Sequence, residues 1–143
     1  MRSRSQVFSV TRLNILLVDD DYILARSTAK LLHRLGGHHV YVTDDPAEIF
    51  RLCQTQVVDL VIMDINLPTA QWQGQAVSGA DLSRVLKNRA QTARIPIILV
   101  TAYAMASERQ ILLTASQADE FVTKPITDYH SFLELIRDLV STG

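Results

Sequence analysis

A single cysteine, Cys53, stands among 143 residues, so no internal disulfide framework braces this chain, and a reducing cytosol suits it. Its apolar neighbours Ile49, Phe50 and Leu52 predict a small buried hydrophobe on a helix rather than a reactive thiol. A surplus of charge is also missing, with 14 Lys and Arg against 15 Asp and Glu. A net charge of -1 leaves no basic field to draw in nucleic acid, and no helix-turn-helix or other DNA-reading motif is present. No apolar run approaches the length of a membrane span. The opening Met1-Arg2-Ser3-Arg4-Ser5 lacks the apolar stretch of a secretory signal. Residues 1–12 read as a disordered lead-in and residues 13–143 as one domain, 48% of the whole being apolar and able to build a core.

Short apolar runs alternate with stretches of helical period from residue 13 onward, with no break in composition that would mark a linker. Residues 14–19, 39–43, 57–64, 95–101 and 120–124 read as strands. The unbroken run Ile15-Leu16-Leu17-Val18 is typical of a strand buried on both faces. Between the strands, Leu24, Leu31, Leu32 and Leu35 recur at helical spacing until Gly36-Gly37 ends the pattern. Pro46 sits where the first turn of a second helix would begin, and further helices follow Gly79, span 104–116 and close the chain over 128–140. Five β-α repeats imply an α/β fold, a parallel sheet with helices on both faces. Such sheets bind their ligands beyond the carboxyl ends of the strands, where strand order reverses.

Acidic residues stand at those ends. Asp19-Asp20-Asp21 follows the first strand and Asp64 the third. An isolated aspartate is usually solvated or a helix cap, and Asp21 reads as the cap of the first helix. Asp19, Asp20 and Asp64 converge if their strands are parallel neighbours. Clustered carboxylates repel one another and any anion, so such a site calls for a divalent cation; Mg2+, which takes oxygen ligands and keeps several waters, fits. An Asp64 oxygen could then attack a phosphoryl group to give an acyl phosphate. The Thr101 hydroxyl and the Lys124 ammonium, each ending a further strand, would hold the remaining phosphoryl oxygens. The Lys124-Pro125 bond is of the kind that readily becomes cis, which would turn the lysine toward the acids. Taken alone it is a surface lysine before a helix-starting proline.

Four segments together carry a resemblance: Ile15-Leu16-Leu17-Val18-Asp19-Asp20-Asp21, Met63-Asp64-Ile65-Asn66-Leu67-Pro68, Val100-Thr101-Ala102 and Thr123-Lys124-Pro125. In their order and spacing, over residues 13–141, the chain resembles the response-regulator receiver domains of two-component signalling. The resemblance implies a flavodoxin-like doubly wound (βα)5 fold with strand order 2-1-3-4-5. It implies that Asp64 is the phosphoacceptor, with Mg2+ held by Asp64, by Asp20 directly, by Asp19 largely through water and by the backbone carbonyl of Asn66. Thr101 and Lys124 then contact the phosphoryl group. It also implies a switch in which Thr101 is drawn inward and Phe121 rotates, changing a surface of fourth helix, fifth strand and fifth helix that includes Met105 and Arg109. From sequence, Phe121 is equally well a plain core residue. The donor would be a sensor histidine kinase or a histidine phosphotransfer protein and the recipient a downstream protein effector, in the cytoplasm, with no direct contact to nucleic acid or membrane. The sequence neither requires nor excludes a homodimer through the fourth-helix face.

Three departures from that pattern stand out. Thr69 to Ser78 intervene between Pro68 and Gly79, a longer connection than most βα loops, and they carry the one tryptophan, Trp72. The segment is either a cover or partner contact for the site, or a tolerated surface insertion. Tyr103 lies two residues past Thr101, where an aromatic would screen an acyl phosphate from water and slow its hydrolysis. Gln117-Ala118 replaces a glycine common before the last strand. The histidines His33, His38, His39 and His130 lack metal-ligand spacing and read as surface residues.

Two rivals share the fold. A haloacid-dehalogenase-type phosphatase needs a second aspartate two residues past its nucleophile, where this chain has Asn66, which cannot act as general acid. A flavin or nucleotide carrier needs a donor-rich loop where Asp19 to Asp21 would repel phosphate. The alternative to a phosphoacceptor is a receiver-like binding module that acts without phosphorylation. The short tail after Met1 favours a stand-alone protein, although the segment 101–126 also resembles receivers attached to hybrid kinases.

Overall fold

The computed structural model describes residues 12–102 and 105–142. The chain runs β1 (Asn14–Val18), α1 (Tyr22–Gly36), β2 (His39–Thr43), α2 (Pro46–Gln54), β3 (Leu60–Asp64). A short hairpin follows, β4 (Gln71–Trp72) and β5 (Gln75–Ala76), then α3 (Gly79–Lys87), β6 (Ile97–Thr101), α4 (Ala106–Ser116), β7 (Glu120–Thr123) and α5 (Tyr129–Thr142). The main sheet has five strands in the order β2-β1-β3-β6-β7, every pairing parallel. With the hairpin set aside this is the expected 2-1-3-4-5 order. Strand order reverses between β1 and β3, and Val18 pairs with Met63, so Asp19 and Asp64 emerge side by side from that crevice.

The two-residue period of the strands divides the core. Leu16, Val18, Val61, Met63, Ile97 and Leu99 pack with Ile49, Phe50 and Cys53 of α2 and with Leu82 and Leu86 of α3. Ile15, Leu17, Leu60, Ile62, Ile98 and Val100 face the other way, onto Ala25 and Leu32 of α1 and Phe132 and Ile136 of α5. Cys53 is fully buried, and burial pushes its thiol up to about 12, so it stays protonated as expected of a packing residue.

Local signals set the ends of elements. The Asp21 carboxylate accepts the Leu24 N–H (3.1 Å) to cap α1, and Gly37 closes that helix at φ 73°, a left-handed conformation glycine adopts without a Cβ clash. Asp45 caps α2 ahead of Pro46. The third strand begins at Leu60 rather than at Val57, because Asp59 turns its carboxylate onto the Asn14 N–H (2.7 Å) and residues before it are loop. The fourth long strand begins at Ile97, after Pro96, and its first N–H goes to the Asp119 carboxylate (2.8 Å). Of the expected leucine stripe of α1, Leu32 is fully buried as its spacing predicts, but Leu24 and Leu35 are exposed, and Ala25, which the stripe did not include, is buried instead. Gln117 occupies the glycine-like position after α4 in a left-handed conformation, φ 58°.

His38 is a correction, being 6% exposed rather than on the surface. Its Nδ1 accepts the Leu13 N–H (3.2 Å), and the carbonyl of the same residue lies 3.0 Å from His33 Nδ1. Burial lowers its pKa, and the positive charge of Arg137 adds to the effect. The folded state therefore favours the neutral ring. The stability this gives is complete above the unfolded value near about 6.5 and falls as pH drops below it toward the folded value. Unfolding measured at pH 7.5 and 5.5 should show a loss in the native chain that His38→Gln reduces; equal losses would remove His38 from the acid sensitivity.

Candidate functional site

The carboxyl edge between β1 and β3 gathers most of the expected side chains. Asp19 is buried just past β1, where its Oδ1 accepts the Asp21 N–H (2.9 Å). Asp64 ends β3, also buried, and its Oδ1 accepts the Asn66 N–H (3.1 Å). Lys124 reaches in from the far side of the sheet and donates to Oδ2 of both Asp64 (2.8 Å) and Asp19 (3.0 Å). Its own backbone N–H bonds the Thr101 carbonyl (2.8 Å), and the Lys124-Pro125 bond is cis. Asp20 is exposed beside them, and one carboxylate oxygen from each of Asp19, Asp20 and Asp64 lies within 4.8 Å of the other two.

Three carboxylates face one ammonium, so the edge carries net negative charge. Burial pushes the Asp64 carboxyl up; the Lys124 hydrogen bond and charge and the Asn66 N–H pull against it, and the nearby Asp19 adds to the rise. Burial acts to lower Lys124, but its bonds to Asp64 and Asp19 together outweigh that and leave it raised and charged. An all-oxygen set of this density fits a hard divalent cation such as Mg2+ and suits neither thiolate- nor imidazole-seeking metals. A cavity of about 380 Å³ opens beside the acids toward α1 and α5, with Leu24, Thr28, Ile126 and Tyr129 in its wall.

Other expected residues take different places. Thr101 ends β6 half-buried, in register with Thr123, one residue before Lys124. The Asn66 side chain is exposed. Phe121 is buried among the residues of the α2–α4 side, with the Arg109 guanidinium 5.2 Å above its ring. Met105 is exposed ahead of α4, and Tyr103 lies outside the described residues. Residues 69–78 form a hairpin turned by Gln73 (φ 54°) and Gly74 (φ 80°), the two positive values of the favoured tight turn. None of them lines the cavity beside the acids.

Sequence reasoning missed Gly79. Its N–H bonds the Ile65 carbonyl (2.9 Å), and the start of α3 presses directly on the backbone of Asp64, leaving no room for a Cβ. The signal was present, a glycine at a helix start straight after the loop that follows Asp64, but glycine there also reads as an ordinary turn residue.

Comparison with known proteins agrees with this geometry. The family model of the response regulator receiver domain matches residues 15–137. A gliding motility regulatory protein of Myxococcus xanthus is 32% identical over 123 residues, covering 86% of this chain and 15% of its own length. The sensory transduction protein RegX3 of Mycobacterium bovis is 32% identical over 112 residues, covering 78% of this chain and 44% of its own. This chain therefore spans less than half the length of these curated relatives. Among solved structures, the receiver domain of a Pseudomonas aeruginosa sensor histidine kinase, with magnesium coordinated in its active-site cleft, superposes with a TM-score of 0.74. It is 24% identical and the match covers 92% of this chain and 99% of that one, a likeness of fold. On the matched family model and the topology together, the chain belongs to the response regulator receiver domain family.

Proposed function

We propose that residues 13–143 form a phosphoacceptor receiver that takes a phosphoryl group on Asp64 from a histidine kinase or histidine phosphotransfer protein. The observation that carries this reading is the bridge from the Lys124 ammonium to Oδ2 of both Asp64 and Asp19, inside a cluster of three carboxylates. Asp19, Asp20, Asp64 and the backbone carbonyl of Asn66 would hold Mg2+. When bound, the cation neutralises the carboxylates and draws charge from the transferring phosphoryl oxygens. Asp64 supplies the nucleophile: one carboxylate oxygen attacks phosphorus, the donor's P–N bond breaks, and its electron pair leaves with the imidazole nitrogen. The Asn66 N–H steadies the other oxygen of Asp64. Lys124, already at the reacting oxygen, turns to a phosphoryl oxygen once that carboxylate charge is spent in the acyl phosphate, and the Thr101 hydroxyl takes another. Water attack on phosphorus later restores the carboxylate and releases phosphate. The chain is on this reading a signalling module of the cytoplasm rather than a conventional enzyme.

The output would be a change on the surface of α4, β7 and α5, read by a protein effector. Thr101 moving toward the phosphoryl group frees space next to β7, and Phe121, held under Arg109, is the side chain placed to respond. Tyr103 would slow hydrolysis from beyond Thr101. The test uses phosphoramidate, a P–N donor like phosphohistidine, with Mg2+. Label stable to acid but released by hydroxylamine is the expected result, as an acyl phosphate requires. Absence of label on folded protein would favour the binding module that acts without phosphorylation.

A further inference from the structure

The hairpin of residues 69–78 takes no part in the chemistry above, yet its first leg, and the glycine just after its second, are bonded to the acceptor loop. Ala70 is buried; its N–H bonds the Leu67 carbonyl (3.2 Å) and its carbonyl accepts the Val77 N–H (3.1 Å). Two residues past Val77, Gly79 bonds Ile65 (2.9 Å), and Ile65 and Leu67 flank Asn66, whose N–H holds Asp64. At the other end of the hairpin, Gln71, Gln75 and Ala76 are exposed, and Trp72 alone of the strand residues packs against the core. Its ring centroid lies 4.2 Å from that of Phe50 on α2. The Arg89 guanidinium, just past α3, lies over both rings, 5.0 Å from Phe50 and 5.7 Å from Trp72.

An insertion of this length adds conformational freedom next to a site that works only at fixed geometry. Here the added segment is pinned to α2 and to the chain just past α3 by one aromatic side chain. We propose that Trp72 is a positioning residue: its seat against Phe50 and Arg89 holds the hairpin, and through it the loop that presents the Asn66 backbone to Asp64 and to the cation. This rests on the receiver reading above.

The test compares the native chain with Trp72→Ala, Trp72→Phe and Gln75→Ala, well below their melting temperatures. One readout is Mg2+ affinity by calorimetry; the other is amide hydrogen exchange over residues 65–70 without metal. Trp72→Ala should weaken Mg2+ binding about tenfold, the scale typical for groups that orient ligands, and speed exchange. Trp72→Phe should restore most of both, and Gln75→Ala should change neither. Should Trp72→Ala fold poorly, Arg89→Met weakens the same stack and must move both readouts the same way. A Trp72→Ala chain that melts earlier but keeps Mg2+ affinity and exchange within about twofold would overturn the positioning role and leave plain packing. A native chain that binds no Mg2+ and takes no phosphoryl group would overturn the receiver reading, and this inference with it.

Discussion

Replacing Gly79 with alanine should destabilise the chain by about 2–4 kcal/mol, the range of a steric clash in a packed interior that must be relieved by moving backbone. A Cβ at this position would fall inside van der Waals contact of the Asp64 carbonyl oxygen, 2.8 Å from its carbonyl carbon and 2.9 Å from Met63 Cγ. The first two obstacles are main chain and cannot rotate away as a side chain does. Either α3 lifts from the sheet or the Asp64 peptide turns, and the second disturbs the proposed acceptor itself. Gly74 provides the contrast: it sits at φ 80° with nothing near its missing Cβ, so Gly74→Ala carries only the left-handed backbone penalty, about 1–2 kcal/mol. Urea unfolding of the two variants separates these effects, and the Gly79 variant should also bind Mg2+ more weakly while the Gly74 variant does not. A Gly79→Ala chain within 0.5 kcal/mol of the native one, roughly the scatter of harmless surface changes, would mean that α3 does not lean on Asp64 as described.

Lys124→Ala should move two quantities in opposite directions. Removing the ammonium leaves Asp19 and Asp64 buried, adjacent and without their countercharge. Breaking a buried pair in this way costs about 3–5 kcal/mol, reduced here to roughly 1–3 because Lys124 is 21% exposed at its side chain. Mg2+ affinity should instead rise, on the order of tenfold, because the cation no longer competes with a fixed positive charge for the same Oδ2 atoms. The pH dependence has a definite sign. Burial already raises the Asp64 carboxyl, and losing Lys124 removes the strongest opposing influence. A carboxyl raised above its unfolded value favours folding when protonated and loses that contribution as pH rises through its folded value. The variant's deficit should therefore be small in acid, grow toward neutrality, and shrink again when Mg2+ is added. Equal stability and equal Mg2+ affinity in variant and native chain at pH 7 would contradict the charge balance described for the site.

What could be read in advance followed from strong, local signals. Ile15-Leu16-Leu17-Val18 and Leu60-Val61-Ile62-Met63 are apolar without interruption because both faces of their strands are covered, and the acids that end them fall at the edge where the sheet order reverses. Asp21 and Pro46 marked helix starts that the structure keeps. Less legible were features decided by distant packing. Leu32 of the expected stripe is buried, but Leu24 and Leu35 are not and Ala25 is; how α1 sits on the sheet decides this, and apolarity alone favoured the leucines over the alanine. His38 gave no sign that the Leu13 N–H would need an acceptor inside the fold. The hairpin escaped because Gln73-Gly74 lacks the Asn-Gly or Asp-Gly signature of tight turns, and because its strands are two residues each.

The claim on which the rest depends is covalent phosphorylation of Asp64. Its most direct measurement is the intact mass of the native chain and of Asp64→Asn after incubation with acetyl phosphate, each with and without Mg2+. The native chain should gain one phosphoryl group only when Mg2+ is present, and the variant should gain none. A native chain whose mass is unchanged while its fold is intact, or an Asp64→Asn chain that gains the same group, would contradict the assignment of Asp64 as phosphoacceptor.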